Sequence, residues 1–287
     1  MTKIQYPGAR PYFPAEDRDR ILAGVAQVLD SGQMAQGNHL AEFEECAAQM
    51  AGTRHAVAVN SGGAALELLL SALELNGGEV ILPTETFIAS ANSIQRAGGV
   101  PVFADIGLDD LGLTVETVEA RRTPETRGVM VVHMFGLMSP ELPRLQEYCR
   151  AHGLFLIEDA AHAHGGTSAG SPAGSLGTAG CFSYFATKVL TTGEGGLITT
   201  DDTELAATVR SLGNHGLAEE HPQFDRAGNN FRMAEIPALI GVVQHHRLPE
   251  ILEHRRRIAF IYREVLSASN SIVAIDPAPR GGHTRLR

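Results

Sequence analysis

Short apolar runs that end in turn residues recur along this chain with helical patterns between them, and that alternation restricts the fold more than any other feature. Residues 55–59, 79–82, 100–104, 129–133 and 154–157 read as strands. Helical patterns at 64–70, 89–97 and 115–122 separate them, and Ser139-Pro140-Glu141 opens a further helix to about residue 152, with a capping serine and a proline in the first turn. Strands joined through helices lie parallel and are covered on both faces, so the expected class is α/β with a mostly parallel sheet. Ligands of such sheets bind beyond the carboxyl ends of the strands. Gly62, Phe87, Asp159 and Lys188 all fall at such ends.

Composition narrows the partners. The formal net charge is −10, whereas nucleic-acid binding needs a basic face, so no nucleic acid is expected. The one basic run, Arg255-Arg256-Arg257, sits in a helical pattern and reads as a solvated face. Cys46, Cys149 and Cys181 show neither CxxC spacing nor an even count, and the histidines, including His245-His246, lack ligand spacing; neither a disulfide framework nor a metal site is indicated. The N-terminal residues form no apolar leader and no run approaches membrane-spanning length, so the expectation is a soluble cytoplasmic protein away from any membrane.

Lys188 stands on the connection between two apolar runs, 180–186 and 196–200, among small, polar and glycine residues. An amine held among apolar walls is disfavoured in its charged form, and a neutral amine attacks aldehydes to give a Schiff base. On these residues alone an ordinary loop lysine is an equal reading. Upstream, the strand at 55–59 passes through Asn60-Ser61-Gly62-Gly63 into a helix, which aims backbone N–H groups and the positive end of the helix at an anion. Neither GxxxxGK[ST] nor GxGxxG is present, so a P-loop or a dinucleotide fingerprint is not supported, and a mere packing turn stays open.

A strand-end carboxylate such as Asp159 can pair with a protonated ring nitrogen. A glycine turn with Ser183 can hold a phosphate, Phe87 can cover a ring and Lys188 can take an aldehyde; together these are the requirements of pyridoxal 5'-phosphate. Several motifs occur in one order: Asn60-Ser61-Gly62-Gly63-Ala64-Ala65-Leu66, Pro83-Thr84-Glu85-Thr86-Phe87-Ile88-Ala89, Glu158-Asp159-Ala160-Ala161-His162, Gly174-Ser175-Leu176-Gly177, Ser183 to Lys188, and Gly228-Asn229-Asn230-Phe231-Arg232. In these the chain resembles the DegT/DnrJ/EryC1/StrS family of aminotransferases, over roughly residues 10–266. The resemblance implies fold type I, with a seven-stranded, mostly parallel sheet and pyridoxal 5'-phosphate as cofactor. It implies that Lys188 forms the Schiff base and moves the proton, that Asp159 keeps the pyridine nitrogen protonated, that Ala161 and Phe87 flank the ring, and that His162 hydrogen-bonds the phenolic oxygen. Phosphate would be held by the Gly62 and Gly63 amides, by Ser183, and by Asn230 from the second subunit of a homodimer. Glu158, on the opposite face of its strand, reads as structural.

The resemblance also divides the chain into an arm at 1–13, a large cofactor domain at 14–246, and a linking helix with an incomplete small domain at 247–287, whose last residues have hardly any apolar periodicity. Where the family has Ser-Gly-Thr, this chain has Ser61-Gly62-Gly63, losing a hydroxyl toward the phosphate. The expected reaction moves an amino group from an amino acid, glutamate or glutamine, to a keto-sugar, nucleotide-linked. A sugar dehydratase would replace the lysine by histidine, and Lys188 is present. The alternative is a truncated, catalytically idle member with a binding or regulatory role.

Overall fold

The computed structural model describes residues 10–108, 110–218, 223–267 and 275; the expectations for the arm before residue 10, and for most of the tail after Ser267, lie outside the described residues. Two helices, α1 (Ala15–Ser31) and α2 (Asn38–Ala51), come first. Each stops at a glycine in the left-handed region, Gly32 at φ 71° and Gly52 at φ 66°, a backbone that side chains with a Cβ adopt only with strain. Phe43 of α2 is fully buried, with its ring 5.0 Å from that of Tyr184. Gly37 leads α2 without a side-chain cap. Its first turn is satisfied instead by Glu235, whose carboxylate accepts from the amides of Gly37 (2.8 Å), His39 (2.9 Å) and Leu40 (3.1 Å).

The alternation then runs through β1 (His55–Val59), α3 (Gly62–Ala72), β2 (Glu79–Pro83), α4 (Ile88–Arg96), β3 (Val100–Ala104), α5 (Val115–Glu119), β4 (Thr126–Val132), α6 (Leu142–Ala151) and β5 (Phe155–Asp159). A small hairpin of β6 (Thr167–Ser168) and β7 (Ser171–Pro172) precedes β8 (Ala179–Ser183) and β9 (Gly196–Thr200), and α7 (Thr203–Gly213), α8 (Glu235–His246) and α9 (Leu248–Leu266) follow. The seven-stranded sheet has the order β1-β9-β8-β5-β4-β2-β3. Every pairing is parallel except those of β9, which runs against both β1 and β8. Apolar side chains fill both faces: Phe43, Leu156, Phe182 and Leu197 on one, Val57, Leu69, Met130 and Ile198 on the other.

Two elements depart from their sequence pattern. The sixth helix begins at Leu142 rather than at Ser139: residues 140 and 141 form a turn, in which the Ser139 hydroxyl accepts the Glu141 amide and donates to Asp110. In the Arg255-Arg256-Arg257 run, read as a solvated face, Arg255 is half-buried, and burial lowers its pKa. The outer strand β1 is trimmed by side chains: Glu44 accepts from the Ala58 amide (2.8 Å), Arg210 donates to the Ala56 carbonyl (2.8 Å), and the two pair with each other at 2.6 and 3.0 Å. The opposite outer strand, β3, carries Pro101.

Behind the sheet, His245 shares a hydrogen bond with the Tyr184 hydroxyl (2.9 Å), and His164, 0% exposed, packs edge-on to Tyr184 with no hydrogen-bond partner for either ring nitrogen among the described residues. Burial, with His246 nearby, pushes the His245 pKa down to about 3, and burial followed by the charge of His245 holds His164 well below its ordinary value. An unfolded chain takes up these protons near the ordinary histidine pKa, about 6.5, while the folded chain refuses them. Their contribution is therefore intact above pH ~6.5 and falls by about 1.4 kcal/mol per pH unit for each histidine as the pH drops from there. Urea unfolding of the parent and of His245→Gln, from pH 7.5 to pH 5, should show the variant losing less stability on acidification. A difference between the two proteins that stays constant with pH would refute this account.

Candidate active site

The parallel strands end around one cavity of about 690 Å³, within the usual range of small-molecule sites of roughly 300–1,000 Å³. Its lining includes Gly62, Gly63, Phe87, Asp159, Ala161, His162, Ser183 and Lys188, so eight of the nine residues singled out in the sequence share one pocket. The ninth, Asn230, is exposed and bridges Asn214 outside this cavity. A role for it at a phosphate is a matter for a second subunit.

The glycine end of the cavity is built by the start of α3. Ser61 caps this helix by accepting the Ala64 amide (3.1 Å), which leaves the Gly62 and Gly63 amides of the first turn to be satisfied from outside the helix. Ser183, at the end of β8, lies directly over Gly62: a Cβ on Gly62 would sit 2.6 Å from that of Ser183. Glycine is thus required there by close approach. At Gly63 a Cβ would meet only Ala89, at 4.0 Å, so the position is open toward the cavity.

The carboxylate end belongs to β5. Asp159 is buried at 7% exposure, and both its oxygens accept: Oδ2 from the Ser90 hydroxyl (2.8 Å), Oδ1 from the Ala161 amide (3.2 Å). Burial pushes its pKa up, and Ser90, the Ala161 amide, Lys188 and His133 pull the other way by favouring the charged form. His162 Nδ1 accepts the Phe135 amide (3.2 Å), and its ring stacks on Phe135. The imidazole proton accordingly sits on Nε2, a donor. Phe135 itself is held at φ 55°, a strained backbone for a non-glycine residue at the pocket wall.

Lys188 is half-buried in the turn that follows β8, its amide donating to the Phe185 carbonyl (2.9 Å). The loop is fixed around it: Tyr184 exchanges backbone bonds with Gly195 and Thr192, and the Thr191 hydroxyl donates to the Tyr184 carbonyl (3.1 Å). Glu158 points to the other face of β5, 0% exposed. It accepts from the amides of Gly174 (2.9 Å), Leu176 (2.6 Å) and Gly177 (3.0 Å) and pairs with His133 Nε2 (2.9 Å). No role follows from the sequence for Ser90, Thr86 or His133, whose only signal is a polar residue on an otherwise apolar face or strand end. One cavity thus offers an amine, a buried carboxylate, two helix-end amides beside a hydroxyl, and an aromatic wall. That donor set fits a phosphorylated, cation-capable aromatic aldehyde.

The family described as the DegT/DnrJ/EryC1/StrS aminotransferase family matches residues 15–285. The GDP-perosamine synthase of Caulobacter vibrioides is 40% identical over 262 residues, spanning 90% of this chain and 69% of that protein. A UDP-N-acetyl-3-dehydro-alpha-D-glucosamine 3-aminotransferase of Acidithiobacillus ferrooxidans is 37% identical over 284 residues, 98% of this chain and 76% of that one. Among solved structures, DesI in the presence of its TDP-sugar product superposes with a TM-score of 0.87 at 38% identity, covering 94% of this chain and 69% of its own.

Replacing Glu158 by Gln keeps the size of the side chain but turns an NH₂ group toward backbone N–H donors. Glu158→Gln should lower unfolding free energy by about 2–3 kcal/mol, the worth of hydrogen bonds to a buried charge. The measurement is the urea midpoint at unchanged m-value, and an unmoved midpoint would contradict the anchoring role.

Proposed function

The chain belongs to the DegT/DnrJ/EryC1/StrS aminotransferase family, and from that membership we propose that it transfers an amino group from an amino acid, glutamate or glutamine, to the ketone of a nucleotide-linked sugar. The observation that carries this reading is the cavity in which Lys188 shares a wall with Asp159 and with the Gly62, Gly63 and Ser183 cradle. Pyridoxal 5'-phosphate, the cofactor of this family, supplies when bound an electron-withdrawing ring that stabilises negative charge at the carbon losing its proton. The Gly62 and Gly63 amides and the Ser183 hydroxyl hold the phosphate, and Asp159 holds the proton on the ring nitrogen. His162 donates from Nε2 to the phenolic oxygen, while Phe87 and Ala161 keep water from the two ring faces. The amine of Lys188 would take the aldehyde and, set free when the donor amine displaces it, would carry the proton from Cα of the donor to the former aldehyde carbon. Relatives named for GDP-, UDP- and TDP-linked sugars support a sugar nucleotide as acceptor. We read the active unit as a homodimer, because the family resemblance puts Asn230 at the phosphate while here it is exposed and lies away from its own chain's cavity.

Lys188→Ala should leave the protein folded and abolish covalent attachment of the cofactor. After borohydride reduction of the parent loaded with pyridoxal 5'-phosphate, mass spectrometry should place the pyridoxyl group on the peptide containing Lys188. A group on another lysine, or on none, would count against the assignment. Asp159→Asn should retain cofactor but lose about two to three decades of single-turnover rate, matching roughly 2–4 kcal/mol of lost charge-assisted contact. Unchanged rates would refute the role given to this carboxylate.

A further inference from the structure

Ser90 lies on α4 behind the cavity wall, is 0% exposed, and has no place among the residues assigned above. A buried helical serine usually returns its hydroxyl hydrogen to a carbonyl of its own helix. Ser71 does so with the Glu67 carbonyl (2.7 Å) and Ser93 with that of Ser90 (2.8 Å). Ser90 spends its one hydrogen on Asp159 Oδ2 at 2.8 Å instead. Its oxygen is then left to accept, and Thr86 Oγ1 stands 2.7 Å away. With Ser90 donating to Asp159, Thr86 is the donor of the 2.7 Å pair and divides its one hydrogen between Ser90 and the Phe87 carbonyl at 3.3 Å. Thr86 lines the cavity beside Phe87 and is half-exposed, so the chain of hydroxyls joins the loop after β2 to the carboxylate at the end of β5.

We propose that Ser90 is a positioning residue of this active site, which with Thr86 behind it fixes the Asp159 carboxylate in its ionised form and in one orientation. The proposal rests on the function proposed above. Two donors on two different oxygens lock both torsions of the side chain, and each oxygen keeps a lone pair for the cavity. Donation to the charged form also works against the desolvation of a carboxylate this deep. The other titratable groups around Asp159 are Lys188 and His133, with His162 and Glu85 on the cavity wall, Cys181 on the neighbouring strand β8 and Glu158 on the reverse face of β5. Lys188 and His133 act on Asp159 as charges, whereas Ser90 and the Ala161 amide also fix its direction.

The test compares the parent with Ser90→Ala, Ser90→Thr and Thr86→Val as holoenzymes. Three quantities are measured: the dissociation constant of pyridoxal 5'-phosphate by equilibrium dialysis, kcat and donor KM, and the pH dependence of kcat. Ser90→Ala should weaken cofactor binding and lower kcat by about tenfold each, the worth of one charge-assisted hydrogen bond, with donor KM within about twofold. The acid limb of its kcat profile should move to higher pH, because the carboxylate loses a donor that favours its charge. Ser90→Thr, which restores the hydroxyl, should recover most of the loss, and Thr86→Val should move the acid limb the same way by less. An unmoved acid limb with unchanged cofactor affinity in Ser90→Ala would overturn the proposal, and so would a Ser90→Thr that behaves like Ser90→Ala. Should Ser90→Ala fail to fold, Thr86→Val carries the comparison, and an unmoved acid limb there overturns it equally. A parent chain that takes up no cofactor would overturn this proposal and the function beneath it, whereas a parent that binds while the variants match it overturns the role of Ser90 alone.

Discussion

One buried carboxylate organises the working end of this sheet. Glu158 is withdrawn from water, and a carboxylate so placed is tolerated only where its charge is met by well-directed donors. Three backbone amides of residues 174–177 and the imidazole of His133 meet it. The bond set adds to the backbone pairing of β5 with β4 and β8, tying the end of β5 to His133 at the end of β4 and to the loop that leads into β8. Because successive residues of a strand face opposite ways, Asp159 then has one direction open to it, the cavity. Two adjacent acids thus serve opposite ends: the first is consumed by the scaffold, and the second is presented by it.

Much of this was legible in the sequence, and the parts that were not share a cause. Apolar periodicity reports burial, so the strand and helix rhythm from residue 55 to 159 was readable, as was the convergence of Gly62, Phe87, Asp159 and Lys188 beyond the strand ends. Periodicity does not report which buried polar atoms meet. Ser90 reads as one small residue on the inner face of a helix, and nothing local distinguishes a hydroxyl bound to its own helix from one bound to Asp159. Glu235 caps a helix almost two hundred residues earlier in the chain, and no local pattern encodes such a partner. The reversed direction of β9 depends on the short loop from Tyr184 to Gly195, whose turn chemistry was visible but whose path was not. The sixth helix is expected from Ser139 because a serine that accepts an amide two residues on reads the same whether a turn or a helix follows it.

The glycines of the anion cradle are not equivalent, and the difference bears on the Ser61-Gly62-Gly63 departure from the family pattern. Gly62 is fixed by the approach of Ser183, and Gly196 on β9 by the Ser61 carbonyl, which an added Cβ would meet at 2.0 Å. Gly63 has room. A larger residue at Gly63 would therefore have space, and its absence leaves the turn undistorted, since Ser61, Gly62 and the helix they begin set the course of the backbone there.

The outer strands carry a different kind of meaning. An unpaired strand edge is a template on which another chain can add a strand, the first step of domain swapping and of fibrillar aggregation. At β1 the Glu44 and Arg210 pair has already taken an amide and a carbonyl from that edge. At β3, Pro101 lacks the N–H that a pairing strand would seek. Another chain that meets this folded sheet therefore finds no continuous row of backbone donors and acceptors at either outer strand, and any contact it makes there is left to side chains, where partner choice can be specific.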